Sequence, residues 1–426
     1  MIDKIIKSSL FKDTGIYTLT SILNSAIPFL LLPILTRYLT PEAYGMISMF
    51  SLLCSFVAPF VGVGVNNAIT IKYYDQENID IRHYIFNCIL ILISSTLIVG
   101  LLFWLFAEPI ALVSSFPVRF LWLVVVYSFS QFITSILLTL WQVQKKAFLY
   151  GIFNNVKTLV DFGLSTLFII GFKYGWQGRI YGQFGATVFF AILATHTLVK
   201  NEWIEVSFNK NYIRSALMFG IPLIPHALSG SIISMTDRFF ITNMVGLSAT
   251  GVYTVGYQIG SIINLLAVSF NNAYAPWLYE RLKKDNYVTN LKIVKFSYLY
   301  FIGITFLALI FGVLAPPVLT VFLGKTFNES SLYVIWIAMG YAFNGMYFMV
   351  VNYIFYEQKT KLLATVTFAT AILNIILNYV FIKQFGAIGA AQATAIVFAI
   401  KFVVIWLLSA RVHEMPWNLK KKTHEQ

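Results

Sequence analysis

Apolar residues in this chain come in long unbroken runs, not in the two-residue alternation of a strand or the one-sided stripe of a soluble helix. A run of roughly 20 mostly apolar residues is long enough to cross the hydrocarbon of a bilayer as a helix. Such runs recur at 14–35, 44–66, 85–106, 118–141, 151–171, 180–200, 216–240, 247–270, 293–315, 331–354, 362–382 and 388–408. They predict twelve transmembrane helices. The segments of about ten residues with alternating polarity that mark a membrane barrel do not occur. Residues 1–13 are short and amphipathic, and no small-residue cleavage site follows the first run, so the first span is expected to remain as an anchor.

The polar positions between the runs suggest a duplication. Ala43-Tyr44-Gly45 opens the second span and Ala249-Thr250-Gly251 the eighth. Asn66-Asn67-Ala68 closes the second span and Asn271-Asn272-Ala273 the eighth. Gly175-Trp176-Gln177-Gly178 joins spans five and six, and Gly386-Ala387-Ile388-Gly389 joins eleven and twelve. The three matches keep their order at nearly constant offset, as an internal repeat would. Glycine in these turns is read as backbone chemistry for a tight connection, not as a ligand position. The expected fold is an all-α integral membrane protein of two six-helix bundles. An even number of spans per half makes them parallel repeats, related by a pseudo-two-fold axis along the membrane normal. The expected parts are 1–200 as the first bundle, 201–215 as a cytoplasmic linker, 216–410 as the second bundle and 411–426 as a cytoplasmic tail.

Composition strengthens the membrane reading. Of 426 residues, 58% are hydrophobic and 11% charged, against about 25% charged in a soluble domain. The formal net charge of +13 raises the question of nucleic acid. Its distribution answers it: with the amino terminus in the cytoplasm, 21 of the 30 Lys and Arg fall on the cytoplasmic side, 7 on the other and 2 within spans. That asymmetry is the positive-inside rule; it places both termini in the cytoplasm and makes a nucleic-acid partner unnecessary. The longest connections, 67–84, 201–215 and 271–292, are all expected on the cytoplasmic side and are too short to fold as an extramembrane domain. Cys54 and Cys88 are expected as packing thiols. Trp104, Trp141, Trp176 and Trp336 fall near predicted span ends and are expected as interfacial anchors.

Enzyme chemistry is not visible. The sequence has no G-x-x-x-x-G-K-[ST] loop to cradle nucleotide phosphates, no H-E-x-x-H zinc helix and no acidic cluster at metal-ligand spacing. Neither a cofactor nor a metal is expected. The informative residues are ionisable groups inside spans, which are costly there and face a cavity or a partner. Lys157 and Asp161 lie one turn apart on the fifth span, about 9 and 15 Å from its cytoplasmic start at the helical rise. Two readings stand: a mutual ion pair, or a polar cavity in which Asp161 binds the coupling H⁺ or Na⁺. Lys401 lies about 10 Å from the cytoplasmic end of the twelfth span, either snorkelling to the surface or sharing a cationic cavity with Lys157.

Arg37, Asp237 and Arg238 fall near outer span ends, as solvated rim charges or as groups that gate or touch substrate. Asp237 is also a candidate for ion coupling. The seventh span carries Pro222, Pro225 and His226, and the first carries Asn24, Pro28 and Pro33. Both are expected to be bent, polar-flecked helices suited to hinge motion. His226 is either a satisfied core histidine or a proton site.

The stretch Asn24 to Leu53 resembles the opening of bacterial polysaccharide flippases, with a proline-bearing first helix and then Arg37-Tyr38-Leu39-Thr40-Pro41-Glu42-Ala43-Tyr44-Gly45. Asp237-Arg238-Phe239-Phe240 and Gly251-Val252-Tyr253 fit the same resemblance, which covers essentially the whole chain. The family that the chain resembles belongs to the multidrug/oligosaccharidyl-lipid/polysaccharide exporter superfamily. The resemblance implies a central cavity between two bundles. It also implies translocation of an undecaprenyl-pyrophosphate-linked O-antigen or related oligosaccharide to the periplasmic leaflet of the bacterial inner membrane, with membrane lipids as surroundings. Ion coupling is described for relatives. A polysaccharide polymerase and a chain-length regulator are candidate partners. Rival readings are a drug/cation antiporter of the same superfamily, a membrane-embedded enzyme of lipid-linked sugar metabolism, and a scaffold for assembly.

Overall fold

The computed structural model describes residues 9–75, 77, 79–283 and 286–418. It is helical throughout, with no strand among the described residues. This is what lipid as a solvent requires, because each helix satisfies its own backbone N–H and C=O groups. Two compact units emerge, Met1–Ile232 and Ile233–Gln426, and the division falls inside one helix.

The first unit begins with α1 (Ser9–Tyr38), which continues through Pro28 and Pro33. Next is α2 (Pro41–Gly62), capped by the Thr40 side chain with Pro41 in the first turn. Short α3 (Val65–Tyr73) follows; then α4 (Ile81–Leu105), capped by Asp80, and short α5 (Ala107–Ser114). After them come α6 (Leu121–Val143), α7 (Ala147–Thr166), a π-helical turn Leu167–Gly171, and α8 (Trp176–Lys200). α6 touches α2, α4 and α8, while α7 lies against α1 and α8.

The connector after α8 is irregular from Asn201 to Asn209 and then helical as α9 (Lys210–Gly220). Its sequence reads as a polar linker, but Asn87 ties it to α4: the Asn87 amide donates to Ser207 O at 2.7 Å and its oxygen accepts from Asn209 N at 3.0 Å. A 3₁₀ turn Ile221–Leu223, with Pro222 in it, leads into α10 (Ile224–Met244). The expected seventh span is thus two helices joined at the prolines. At that joint Gly220 lies against the turn between α2 and α3, where Val63 (φ 43°) and Gly64 (φ 65°) are both left-handed. A side chain at Gly220 would overlap the Val63 carbonyl.

The second unit continues with α11 (Leu247–Gly260), α12 (Ile262–Leu282), α13 (Tyr287–Phe322), α14 (Ser331–Tyr356), α15 (Thr360–Phe385) and α16 (Ala387–Val412). α14 is the central helix here, in contact with α11, α12, α13 and α16. After α16, His413 Nδ1 lies 2.7 Å from Glu357 Oε1 and Tyr298 donates to Trp417 O at 2.8 Å, folding the tail back on its unit. The expected tail continues over 419–426, outside the described residues.

All twelve expected spans are present as helices. Among the described residues, nine helical segments are long and apolar enough to cross a membrane. The expected 271–292 loop is shorter than read, since α12 runs to Leu282.

The duplicated glycine turn has the same geometry in each unit. Gly175 has φ 60° and ψ −137°, and Gly386 has φ 66° and ψ −151°. The second glycine of each turn packs on the helix before it: a Cβ at Gly178 would come within 2.9 Å of the Phe168 carbonyl carbon, and one at Gly389 would overlap the Phe381 backbone. The Asn-Asn-Ala match is likewise structural. Asn66 donates to Ser135 on α6 at 2.7 Å, and Asn271 accepts from Asn352 on α14 at 2.9 Å. In each unit the asparagine reaches the fourth long helix of its half.

Candidate functional site

Polar side chains collect along α7 in the first unit. On one side, the Asn24 amide of α1 donates to Asn155 Oδ1 at 3.0 Å, and Thr158 donates to Asn24 Oδ1. On another, Lys157 Nζ donates to Gln131 Oε1 of α6 at 2.7 Å. Toward α8, the Arg179 guanidinium holds both carboxylate oxygens of Asp161, one of them (Nη2 to Oδ2) at 3.3 Å, and also donates to Ser165 Oγ at 2.7 Å. A further link joins α8 to α6, from Gln183 to the Tyr127 hydroxyl at 2.9 Å. Buried polar groups need such partners, because an unmet one costs about 1–3 kcal/mol.

This corrects the ion-pair reading of Lys157 with Asp161. The partner of Asp161 is Arg179, placed by its sequence in an outer loop but actually in the first turn of α8, which begins four residues earlier than expected. The two residues of the pair are 14% and 22% exposed. Lys157 instead rests on a neutral amide. Lys401 also has a neutral partner, its Nζ lying 3.8 Å from the centroid of the Tyr347 ring, a cation–π contact. Neither lysine has a carboxylate ion-pair partner among the described residues.

The second unit buries a charge pair. Asp237 is 2% and Arg238 7% exposed, which corrects the reading of both as rim charges. Asp237 Oδ1 accepts from the Arg238 backbone N–H at 2.7 Å and lies 3.4 Å from its guanidinium. Oδ2 accepts from the Tyr253 hydroxyl at 2.5 Å. The guanidinium sits 4.2 Å from the Tyr257 ring centroid, and the Tyr257 and Tyr341 hydroxyls are 2.6 Å apart. Tyr253 and Tyr257 are one turn apart on α11, so a single helix face supplies both phenols. That i, i+4 tyrosine pair is the sequence signal for this network, and it is a weak one in a chain with 24 tyrosines.

Other expected residues separate from these clusters. Arg37 is exposed near the end of α1, as a rim charge would be. Pro28, Pro222 and Pro225 are exposed, and the side chain of His226 lies outside the described residues. Cys54 and Cys88 are buried and free. Trp104 is exposed and Trp176 is half-buried, packing edge-on to Phe120, whereas Trp141 is buried against Phe153 as a core residue and not an anchor. The fold also brings ligand atoms of Asp80, His83 and Glu205 within 4.8 Å of one another. Sequence spacing could not show this, because Glu205 comes from the connector. Asp80 is occupied in capping α4, and Arg82 shares Glu205 at 3.7 Å.

Comparison with known proteins places this architecture. The family model for polysaccharide biosynthesis proteins matches residues 10–281, more than half of the chain, and the MatE model matches 222–380. Two Haemophilus influenzae proteins are similar over 405 residues. "Lsg locus putative protein 1" is 24% identical, covering 91% of this chain and 97% of its own length. An "uncharacterized membrane protein" is 26% identical, covering 92% and 97%. Among solved structures, the lipid II flippase MurJ in an inward closed conformation superposes with a TM-score of 0.75 at 18% identity, over 94% of this chain and 87% of that one. An inward-facing multidrug resistance MATE family transporter of the MOP superfamily gives 0.69 at 15%, over 93% and 94%. These structural likenesses carry the fold, which is that of multi-pass membrane transporters. The families and neighbours are transporters and flippases, not enzymes. The chain belongs to the polysaccharide biosynthesis protein family.

Proposed function

We infer that this protein flips an undecaprenyl-pyrophosphate-linked oligosaccharide repeat unit, of O-antigen or a related polysaccharide, from the cytoplasmic to the periplasmic leaflet of the bacterial inner membrane. Both termini are in the cytoplasm. A pyrophosphate and its sugars cannot cross hydrocarbon unaided, because desolvating charge and hydroxyl groups is costly. A water-lined path with positive charge lowers that cost, and the polyprenyl chain stays in lipid. The observation that carries the reading is the pair of in-span lysines, Lys157 and Lys401, each held by a neutral partner in a chain of the polysaccharide family. Their charges remain available to an anionic head group. The Asn24–Asn155–Thr158 seam offers amide and hydroxyl groups of the kind that bind sugars. Asp161 and Asp237, each engaged by an arginine, are the acidic groups through which an H⁺ or Na⁺ gradient would act, by weakening the ion pair on ion binding. Alternating exposure follows from rocking of repeated halves.

The MatE match over 222–380 favours one second reading, a drug/cation antiporter. In-span lysines disfavour it, since they repel organic cations. One experiment separates the two. Purified protein is reconstituted in vesicles with a fluorescent lipid-linked oligosaccharide, under imposed proton or sodium gradients, and leaflet exposure is followed by a sugar-oxidising reagent. Gradient-dependent exposure of the lipid-linked sugar is expected, with loss in Lys157→Gln and Lys401→Gln. Exposure no faster than in protein-free vesicles, together with gradient-driven uptake of an organic cation, would reverse the assignment.

A further inference from the structure

Helix α9 presents two different faces. Toward its own unit it turns Tyr212, Ala216 and Gly220, spaced by four. Tyr212 packs edge-on to Tyr84 with ring centroids 5.5 Å apart and accepts from the Asp80 N–H at 3.3 Å. Ala216 is buried and Gly220 meets the Val63–Gly64 turn. The other face carries Lys210, Arg214, Leu217, Met218 and Ile221, which with Phe208 line an open groove of about 630 Å³. Phe208 is 66%, Met218 67% and Ile221 53% exposed. Lys210 and Arg214 are exposed, and no ion pair engages either among the described residues.

The order of these residues along the axis is informative. The two cations occupy the first turns, one helical turn apart, and everything after them is apolar. From Lys210 to Ile221 the face extends about 17 Å at the helical rise, and it leads into the seventh span. A charged end followed by a greasy track is the complement of a lipid with a charged head. Two cations one turn apart match two linked phosphates better than the single charge of an ordinary phosphodiester head group.

We propose that this groove is a loading site for the polyprenyl-pyrophosphate portion of the substrate. Lys210 and Arg214 take the pyrophosphate, Arg214 through its paired N–H donors, and Phe208, Leu217, Met218 and Ile221 take the first isoprene units. The proposal rests on the lipid-linked substrate read above and adds a capture step ahead of the in-span lysines.

The test measures binding to the full-length protein in nanodiscs of zwitterionic lipid, with polyprenyl pyrophosphate, phosphatidylglycerol and inorganic pyrophosphate as probes. Wild type is expected to prefer polyprenyl pyrophosphate to both. K210Q/R214Q should weaken that binding by about tenfold or more, on the scale of two lost cations at a membrane surface. M218S/I221S should weaken it while leaving inorganic pyrophosphate unchanged. K145Q/K146Q, a control pair of exposed lysines, should stay within about twofold of wild type, as unengaged surface charges do. Equal affinity in K210Q/R214Q and wild type overturns the proposal, and so does equal affinity of wild type for phosphatidylglycerol, which would mark a generic lipid surface. The vesicle assay keeps the two readings apart. Flipping by wild type with unchanged binding in K210Q/R214Q removes the groove alone. Groove-dependent binding without flipping supports the capture site and removes the transport reading.

Discussion

The Tyr253 hydroxyl donates to Oδ2 of Asp237 at 2.5 Å, in a place where neither residue reaches solvent. With Oδ1 taken by the backbone and guanidinium of Arg238, the carboxylate has a donor on each oxygen. Arg238 in turn lies over Tyr257. The pair is therefore held in place from both ends by α11.

Tyr253→Phe keeps the ring and removes one donor, which is expected to destabilise by about 1–3 kcal/mol. Asp237→Asn leaves the Arg238 charge buried without its counter-ion and is expected to cost about 3–5 kcal/mol. Thermal unfolding in detergent, followed by size-exclusion fluorescence, ranks the two. Equal midpoints for wild type and Tyr253→Phe would show that the hydroxyl contributes nothing to the network.

The Asp161 pair separates two geometries that the sequence left open. A double-mutant cycle between Asp161→Asn and Arg179→Gln is expected to give a coupling of about 1–3 kcal/mol, as contacting residues do. The cycle between Asp161→Asn and Lys157→Gln should give less than about 0.5 kcal/mol. The reverse ranking would restore the lysine as the partner.

The glycine turns carry a stability prediction. Gly389→Ala places a methyl in the Phe381 backbone and Gly178→Ala places one against that of Phe168. Each is expected to cost about 1–3 kcal/mol as overpacking, with Gly389→Ala the worse because its overlap is deeper. Protein yield and unfolding midpoint in detergent measure both. Unchanged midpoints would mean that the helices can part without cost.

Asn24 joins α1 to α7 through Asn155 and Thr158. Asn24→Ala is expected to lose about 1–2 kcal/mol for the broken hydrogen bonds and to slow flipping, because the seam loses its amide. Asn24→Gln should recover stability only in part, since its longer stem moves the amide. Wild-type transport in Asn24→Ala would confine the seam to a packing role.

Much of the helical layout was legible because lipid forces it to be. A segment that crosses a bilayer must satisfy its backbone internally, so a long apolar run can be little else than helical, and all twelve runs are helical, some of them broken into two helices. The glycine turns were legible for a similar reason: the left-handed backbone at Gly175 and Gly386 is a local need met by a local residue. The connector was harder. Its polar composition says that it leaves the membrane, but not that Asn87 binds it to α4 or that Lys210–Gly220 forms a helix with an apolar face.

The sequence by itself determined where the spans run, that they repeat, and that a few ionisable side chains lie within them, because these properties reside in consecutive residues and in the solvent each must meet. Only the tertiary structure decided which groups those charges face. Asp161 meets Arg179, not the lysine one turn away, and Asp237 with Arg238 lies among tyrosines instead of at a rim. Those outcomes depend on the rotation of each helix about its axis, and that angle is set by packing against all its neighbours together.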